Sequence, residues 1–139
     1  MVPGRPYTPD VPRWLAVGLG CLTALGIQAL FVAVVGSVIG AVPTFLSYVG
    51  LVVALALGGF VTGHFVGRLS IAILYGAFVA IVYILLTATV QATRDAIVAH
   101  QSGFAALPPI DLLQLTVTDV LAMTAASCGA WLAARPGSS

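Results

Sequence analysis

The chain has 139 residues, of which 60% are hydrophobic and only 6% are charged. An ordinary soluble domain carries roughly 25% charged residues, so this chain has too few to cover a water-exposed surface, and lipid must solvate most of it. Every charge is an arginine or an aspartate, and the net charge of +1 excludes a broad basic surface for nucleic acid.

The first segment, residues 1–12, is a proline-rich tail that we predict to be cytoplasmic. Polyproline II repeats every three residues, so prolines at this spacing would line one edge of such a helix. The tail is either unstructured or a surface for a partner protein. The prolines recur at every third position: Pro3, Pro6, Pro9 and Pro12.

Four apolar segments follow, each close to the roughly 20 residues that a helix needs to cross a bilayer. The first is also longer than the ~7–15 residue core of a signal peptide, which indicates a retained span. The sequence therefore predicts an all-α fold, a transmembrane four-helix bundle over residues 13–135, followed by a short tail at 136–139. The predicted spans are 13–39, 44–66, 69–90 with a helical pattern continuing towards residue 100, and 110–134.

The arginines give the orientation of these spans. The basic side of a membrane protein faces the cytoplasm, which predicts that both chain ends lie inside. Trp14 and Trp131 then lie near the same interface, where tryptophan is favoured. Arg94, beside Asp95, is the one arginine predicted on the other side, whereas four fall inside: Arg5, Arg13, Arg68 and Arg135.

Glycines at four-residue spacing predict close helix packing. Small residues at positions i and i+4 let two helix backbones approach in lipid, where van der Waals contact replaces the hydrophobic effect. In the second span, a row of small residues consisting of Gly50, Ala54 and Gly58 lies beside the row that contains Gly59 and Gly63. The neighbour is either another helix of the bundle or a partner chain. The predicted packing glycines are Gly36, Gly40, Gly59, Gly63 and Gly67.

Asp119, in the fourth span, is the candidate intramembrane polar site, together with Gln28 in the first. An ionised carboxylate near the bilayer centre costs at least ~2.5–3.5 kcal/mol, so such a residue is by default a functional hypothesis. Asp119 is either part of a proton- or quinone-linked site or a hydrogen-bonded residue that joins helices. Gln28 is expected to bridge helices, and the two side chains could meet.

His64, near the cytoplasmic end of the second span, is a candidate ligand for a haem or chlorophyll-type pigment. His100 is predicted on the opposite membrane side, so the two histidines are not expected to share one iron. Cys21 and Cys128 are far apart and lie in apolar stretches, which is typical of small buried hydrophobes. We expect no metal site, no catalytic residue and no cofactor bound by this chain alone, although contact with lipid, quinone or pigment is compatible with the sequence.

The stretch from Gly58 to Arg68, followed by Gly76, resembles small bacterial four-helix membrane proteins of uncharacterised function. These have a glycine-rich second helix, a basic tight turn and a glycine in the third helix. In size and character the chain is also similar to the four-helix accessory subunit of alternative complex III. The resemblance implies a multi-pass protein of the bacterial cytoplasmic membrane. Small multidrug transporters share the length, but they need a glutamate in the first span, and this chain has none.

The leading hypothesis is therefore a non-enzymatic accessory subunit of a respiratory or photosynthetic electron-transfer complex, with other integral membrane subunits and lipid as its partners. The alternative is a small oligomeric transporter or channel in which Asp119 is the functional carboxylate. A third hypothesis is a pigment-binding protein or an enzyme that acts through His64.

Overall fold

A computed structural model of the chain describes residues 11–99 and 112–135, and these form four α-helices without strands. The helices are α1 (Arg13–Ile39), α2 (Thr44–Val66), α3 (Leu69–Ala99) and α4 (Leu112–Ala133). The predicted all-α fold with four helices is confirmed. Most of the proline-rich tail, the C-terminal tail, Arg5, His100 and Asp111 lie outside the described residues.

Proline and glycine set the helix ends. Pro12 and Pro43 stand immediately before α1 and α2, where a missing N–H group costs nothing. Gly40 and Gly67 end the same two helices with positive φ angles of 83° and 65°. Glycine adopts this left-handed conformation without a Cβ clash, and the N–H groups of both residues bond back to the helix they end. The short turn at Gly67 then leads directly into α3.

The helices α2 and α3 form the middle of the bundle, and α1 and α4 flank them on opposite sides. Both flanking helices contact α2 and α3, but α1 and α4 do not contact each other. Gly20 and Gly58 face each other across an antiparallel α1–α2 pair. Tyr48 pairs with Gln114, and Gly59 with Ala126, so α2 and α4 run parallel with a nearly constant register.

This topology places the starts of α1 and α3 and the ends of α2 and α4 at one end of the bundle, the arginine end. Arg13, Arg68 and Arg135 all lie there, as do Trp14 and Trp131. The guanidinium of Arg135 stacks 3.4 Å above the centre of the Trp131 ring. Such cation–π stacking holds a charge at the edge of an apolar surface. The opposite end carries Arg94 and Asp95 on α3.

Tight packing is confined to the half of the bundle near the arginine end. In the described residues, α1 buries nothing after Ala24, α2 nothing before Gly50, α3 nothing after Tyr83 and α4 nothing before Ala122. Most of the buried residues are alanine or glycine, so the backbones themselves form much of the contact. Beyond these positions the helices present large apolar side chains outwards.

All four helices are long and apolar enough to cross a membrane. The mean hydropathy of their most apolar segments runs from 1.3 in α4 to 2.6 in α3. Exposed leucine and valine side chains occur on every helix, and exposed phenylalanines on α2 and α3, as expected where lipid is the solvent. The chain is a multi-pass membrane protein.

Candidate functional site

The packing seam of α2 consists of two rows of small residues that face two different helices. Gly58 packs against Gly20 and Ala24 of α1. Gly59 and Gly63 pack against the backbone carbonyls of Ala126 and Ala130 in α4. A Cβ atom at any of the three glycines would collide with the neighbouring helix. The two rows explain why α2 lies between α1 and α4.

Thr62 closes the α1–α2 contact with a polar link. The side chain is fully buried, and its hydroxyl lies 3.1 Å from the Ala16 carbonyl oxygen of α1 and 3.1 Å from the Gly58 carbonyl oxygen of its own helix. Nearby, the Cys21 thiol points at the Val79 carbonyl oxygen of α3 at 3.6 Å. Cys21 is buried, as its apolar surroundings in the sequence predict, but the same prediction is wrong for Cys128, which is exposed.

The other three predicted packing glycines occupy different environments. A Cβ atom at Gly36, Gly40 or Gly67 would meet nothing within 4 Å in the described residues. Gly40 and Gly67 instead provide the left-handed conformation that ends a helix. Gly36 lies on the side of α1 that points away from the bundle.

That side of α1, here called the outer face, is lined by small residues. An α-helix turns by about 100° about its axis per residue, so the residues of the outer face fall within an arc of about 100°. This arc lies opposite the face that carries Gly20 and Ala24. All are exposed except Gly36, which is half-buried. The outer face consists of Gly26, Ala29, Ala33, Gly36, Ser37 and Gly40.

Gln28 and Asp119 lie at the border of the tightly packed half. Gln28 is one turn beyond Ala24, the last buried residue of α1, and Asp119 is one turn before Ala122, the first buried residue of α4. Both residues therefore point towards the bundle. The Gln28 Oε1 and Asp119 Oδ1 atoms are buried and accept no hydrogen bond from a described residue.

Gln28 and Asp119 lie at nearly the same depth along the bundle axis, but their side chains do not contact each other. The α2–α4 register places Asp119 level with Val52, and the antiparallel α1–α2 register places Gln28 at nearly the same level. However, the α2–α3 pair separates α1 from α4. The structure therefore does not bring the two side chains together, and each has an oxygen in need of a donor.

His64 is exposed near the arginine end of α2, where its ring makes an edge contact with Phe65 at 5.8 Å between centres. Among the described residues there is no group of three or more histidine, cysteine or acidic side chains that could hold a metal ion. His64 thus has no second ligand beside it in this part of the chain. A pigment at His64 remains a prediction.

Sequence reasoning missed most of the α4 contribution to the packing seam. Ala122, Ala126 and Ala130 repeat at four-residue spacing, and all three are buried. Ala16, Gly20 and Ala24 show the same spacing in α1. A search for small residues at this spacing, with alanine counted beside glycine, would have found both rows.

The comparisons with known proteins leave the family open. No family model, curated protein or solved structure matches the chain.

Proposed function

We propose that the chain is a non-catalytic accessory subunit of a larger membrane assembly and that the outer face of α1 receives a helix of another subunit. One observation carries this proposal. The small-residue rows of α2 are covered by α1 and α4, whereas the outer face of α1 is covered by no described residue. A Cβ atom at Gly26 or Gly36 would meet no atom of the described residues within 4 Å.

The exposure of α1 supports the same role. Residues 25–39, more than half of α1, include no buried residue. From residue 26 onwards the bulky exposed residues of α1, such as Val34 and Val38, lie on other sides of the helix, whereas the exposed Leu22 lies one turn earlier on the same side. Small residues instead allow two backbones to approach closely, which is how helices associate in a bilayer. The outer face of α1 is thus better suited to a helix than to lipid.

For the kind of assembly, we propose a respiratory or photosynthetic electron-transfer complex of the bacterial cytoplasmic membrane. The similarity of the chain in size and character to the four-helix accessory subunit of alternative complex III supports this choice. The role of the chain in such a complex is structural: it braces neighbouring helices and helps to line a pocket for lipid, quinone or pigment.

Ala33→Trp tests the outer face. An indole in the middle of this face prevents close approach of a partner helix, and a loss of roughly 1.4 kcal/mol weakens association about tenfold. We expect about tenfold less partner protein with this variant after mild detergent extraction and native electrophoresis. Val38→Trp is the matched control, because Val38 is 79% exposed and lies on another side of α1.

Two results would contradict the accessory role. In one, the unmodified chain migrates alone after mild extraction from its native membrane. In the other, Ala33→Trp and Val38→Trp retain the same partners in equal amounts, so that the outer face has no part in the assembly.

The unpaired Asp119 oxygen favours a second candidate function, an oligomeric transporter or channel. A buried carboxyl oxygen without a donor is costly and is often retained for function. However, the tight contacts of α2 with α1 and α4 close the half of the bundle near the arginine end. A transport path therefore requires several chains or a separation of these helices.

Flux measurements decide whether this second function operates. If it does, the unmodified chain in liposomes carries an ion-coupled flux that Asp119→Asn abolishes, because the amide cannot exchange a proton. Gln114→Asn is a control in the same helix. The absence of flux from the unmodified chain eliminates this candidate.

A further inference from the structure

The arginine end carries a second surface, which the subunit role does not use. Arg13 and Arg68 are both exposed, and neither forms an ion pair with a described residue. The acidic residues in the described part of the chain, Asp95 and Asp119, lie far from this end. We propose that Arg13 and Arg68 together bind the phosphate of an anionic phospholipid in the membrane leaflet at the arginine end.

The helix packing places the two arginines close together. Cys21 of α1 and Val79 of α3 are in contact, and the two helices run parallel. Arg13 lies eight residues before Cys21, about 12 Å along the axis, and Arg68 eleven residues before Val79, about 16 Å. The depths of the two arginines therefore differ by about 5 Å, on helices whose axes are about 8–10 Å apart.

Arg13 lies on the side of α1 that faces the junction of α1, α2 and α3. Arg13 precedes Gly20 by seven residues, two helical turns, so it shares the face of α1 that packs against α2. Thr62 fastens α2 to that face through the Ala16 carbonyl oxygen. Six residues after Thr62 comes Arg68. A phosphate at the junction of α1, α2 and α3 lies within reach of both long side chains.

The backbone adds to the positive field at this junction. Both α1 and α3 begin here, neither has an acidic residue in its first turn, and α1 has no side-chain cap. The positive ends of two helix dipoles therefore point at the same region as the two guanidinium groups. Planar guanidinium groups bind phosphate oxygens in pairs.

The positive charge of the arginine end and its position at the level of the lipid headgroups favour a lipid over a soluble anion as the ligand. The exposed indole of Trp14, next to Arg13, marks the level of the headgroups, and Arg135 stacked on Trp131 lies at the same end. By sequence this end carries four arginines and one aspartate, 4 − 1 = +3. Basic sites between helices at this depth fit anionic headgroups, and each arginine strengthens the attraction.

Quenching of tryptophan fluorescence by brominated lipids tests the proposal, because Trp14 and Trp131 both lie at this end. The full chain is reconstituted in phosphatidylcholine vesicles that contain brominated phosphatidylglycerol or brominated phosphatidylcholine. We expect phosphatidylglycerol to be preferred about fivefold. The preference should disappear in Arg13→Gln/Arg68→Gln, return in Arg13→Lys/Arg68→Lys and persist in the control Arg94→Gln.

Three results would overturn the assignment. In the first, the unmodified chain shows no preference between the two brominated lipids. In the second, Arg94→Gln weakens the preference as much as the double variant, which indicates general charge attraction. In the third, inorganic phosphate at constant ionic strength displaces phosphatidylglycerol, and the site then belongs to a soluble anion. The lysine variant separates loss of charge from misfolding, since it retains the charges at both positions.

Discussion

Replacing Gly59 by leucine is expected to reduce the free energy of unfolding by about 3 kcal/mol or to prevent folding altogether, since overpacking of this kind is among the costliest substitutions. The physical reason is the position of the Ala126 carbonyl, which lies where the Cβ atom of any larger residue would be. Backbone atoms of a helix cannot move aside as a flexible side chain can. The α2 and α4 helices would have to separate along their whole contact.

Unfolding of the purified chain in mixed detergent micelles, followed by circular dichroism, measures this effect. Gly59→Ala should show a smaller loss, about 1–2 kcal/mol, because a single methyl group demands less separation. Gly18→Leu is the matched control, since a Cβ atom at Gly18 meets nothing within 4 Å. In that position leucine should be neutral or slightly stabilising, because glycine is the poorer helix former by about 1 kcal/mol. Equal losses at Gly59 and Gly18 would contradict the packing described for α2.

The helices themselves could be predicted because the bilayer imposes a simple length rule. Apolar runs of about 20 residues, interrupted at Pro43 and Gly67, predict four helices, and the helix α3 extends nine residues beyond the predicted span 69–90, to Ala99. The arginines could be placed at one end for the same reason, since an even number of crossings returns the chain to the side where it began.

The neighbours of each helix could not be predicted in this way. Small residues at four-residue spacing identify a face that can be approached, but they do not name the helix that approaches it. Thus Gly59 and Gly63 contact α4 inside the chain, whereas Gly36 shows the same spacing with Gly40 but a Cβ atom there would meet no described residue within 4 Å. Only the three-dimensional arrangement separates an internal seam from an open face. The same limit applies to Gln28 and Asp119, whose separation depends on the order of the helices.

At the end of the bundle opposite the arginine end, the described residues form no tightly packed core, and this is relevant both to the accessory role and to the transport role. A subunit that functioned alone would gain stability by burying the ends of its helices, yet α1 buries nothing after Ala24 in the described residues. The uncovered part of α1 is also the part that carries the outer face. A partner helix seated there would complete the bundle where this chain leaves it open. Gln28 and Asp119 lie where the covered and uncovered parts meet.

Replacing Asp119 by leucine is expected to stabilise the isolated chain in detergent by roughly 1–2 kcal/mol, because it removes a buried oxygen to which no described residue donates a hydrogen bond. Gln28→Leu should stabilise for the same reason. Since α1 and α4 do not contact each other, the two effects should add to within about 0.5 kcal/mol in the double variant. Unfolding titrations of the four proteins, under identical detergent conditions, form the double-mutant cycle that measures the coupling.

Gln114→Leu is the matched control for this cycle, since the Gln114 side chain has a partner. Its amide nitrogen donates a hydrogen bond to the Tyr48 hydroxyl at 3.0 Å, so the loss of that bond should destabilise the chain by about 0.6 kcal/mol. The sign of the effect thus distinguishes a satisfied polar group from an unsatisfied one. A coupling above about 1 kcal/mol between Gln28 and Asp119 would mean that the two side chains share a hydrogen bond or a bridging water. If instead Asp119→Leu is more stable but loses its partner proteins or its flux, the carboxyl group is retained for function at the expense of stability.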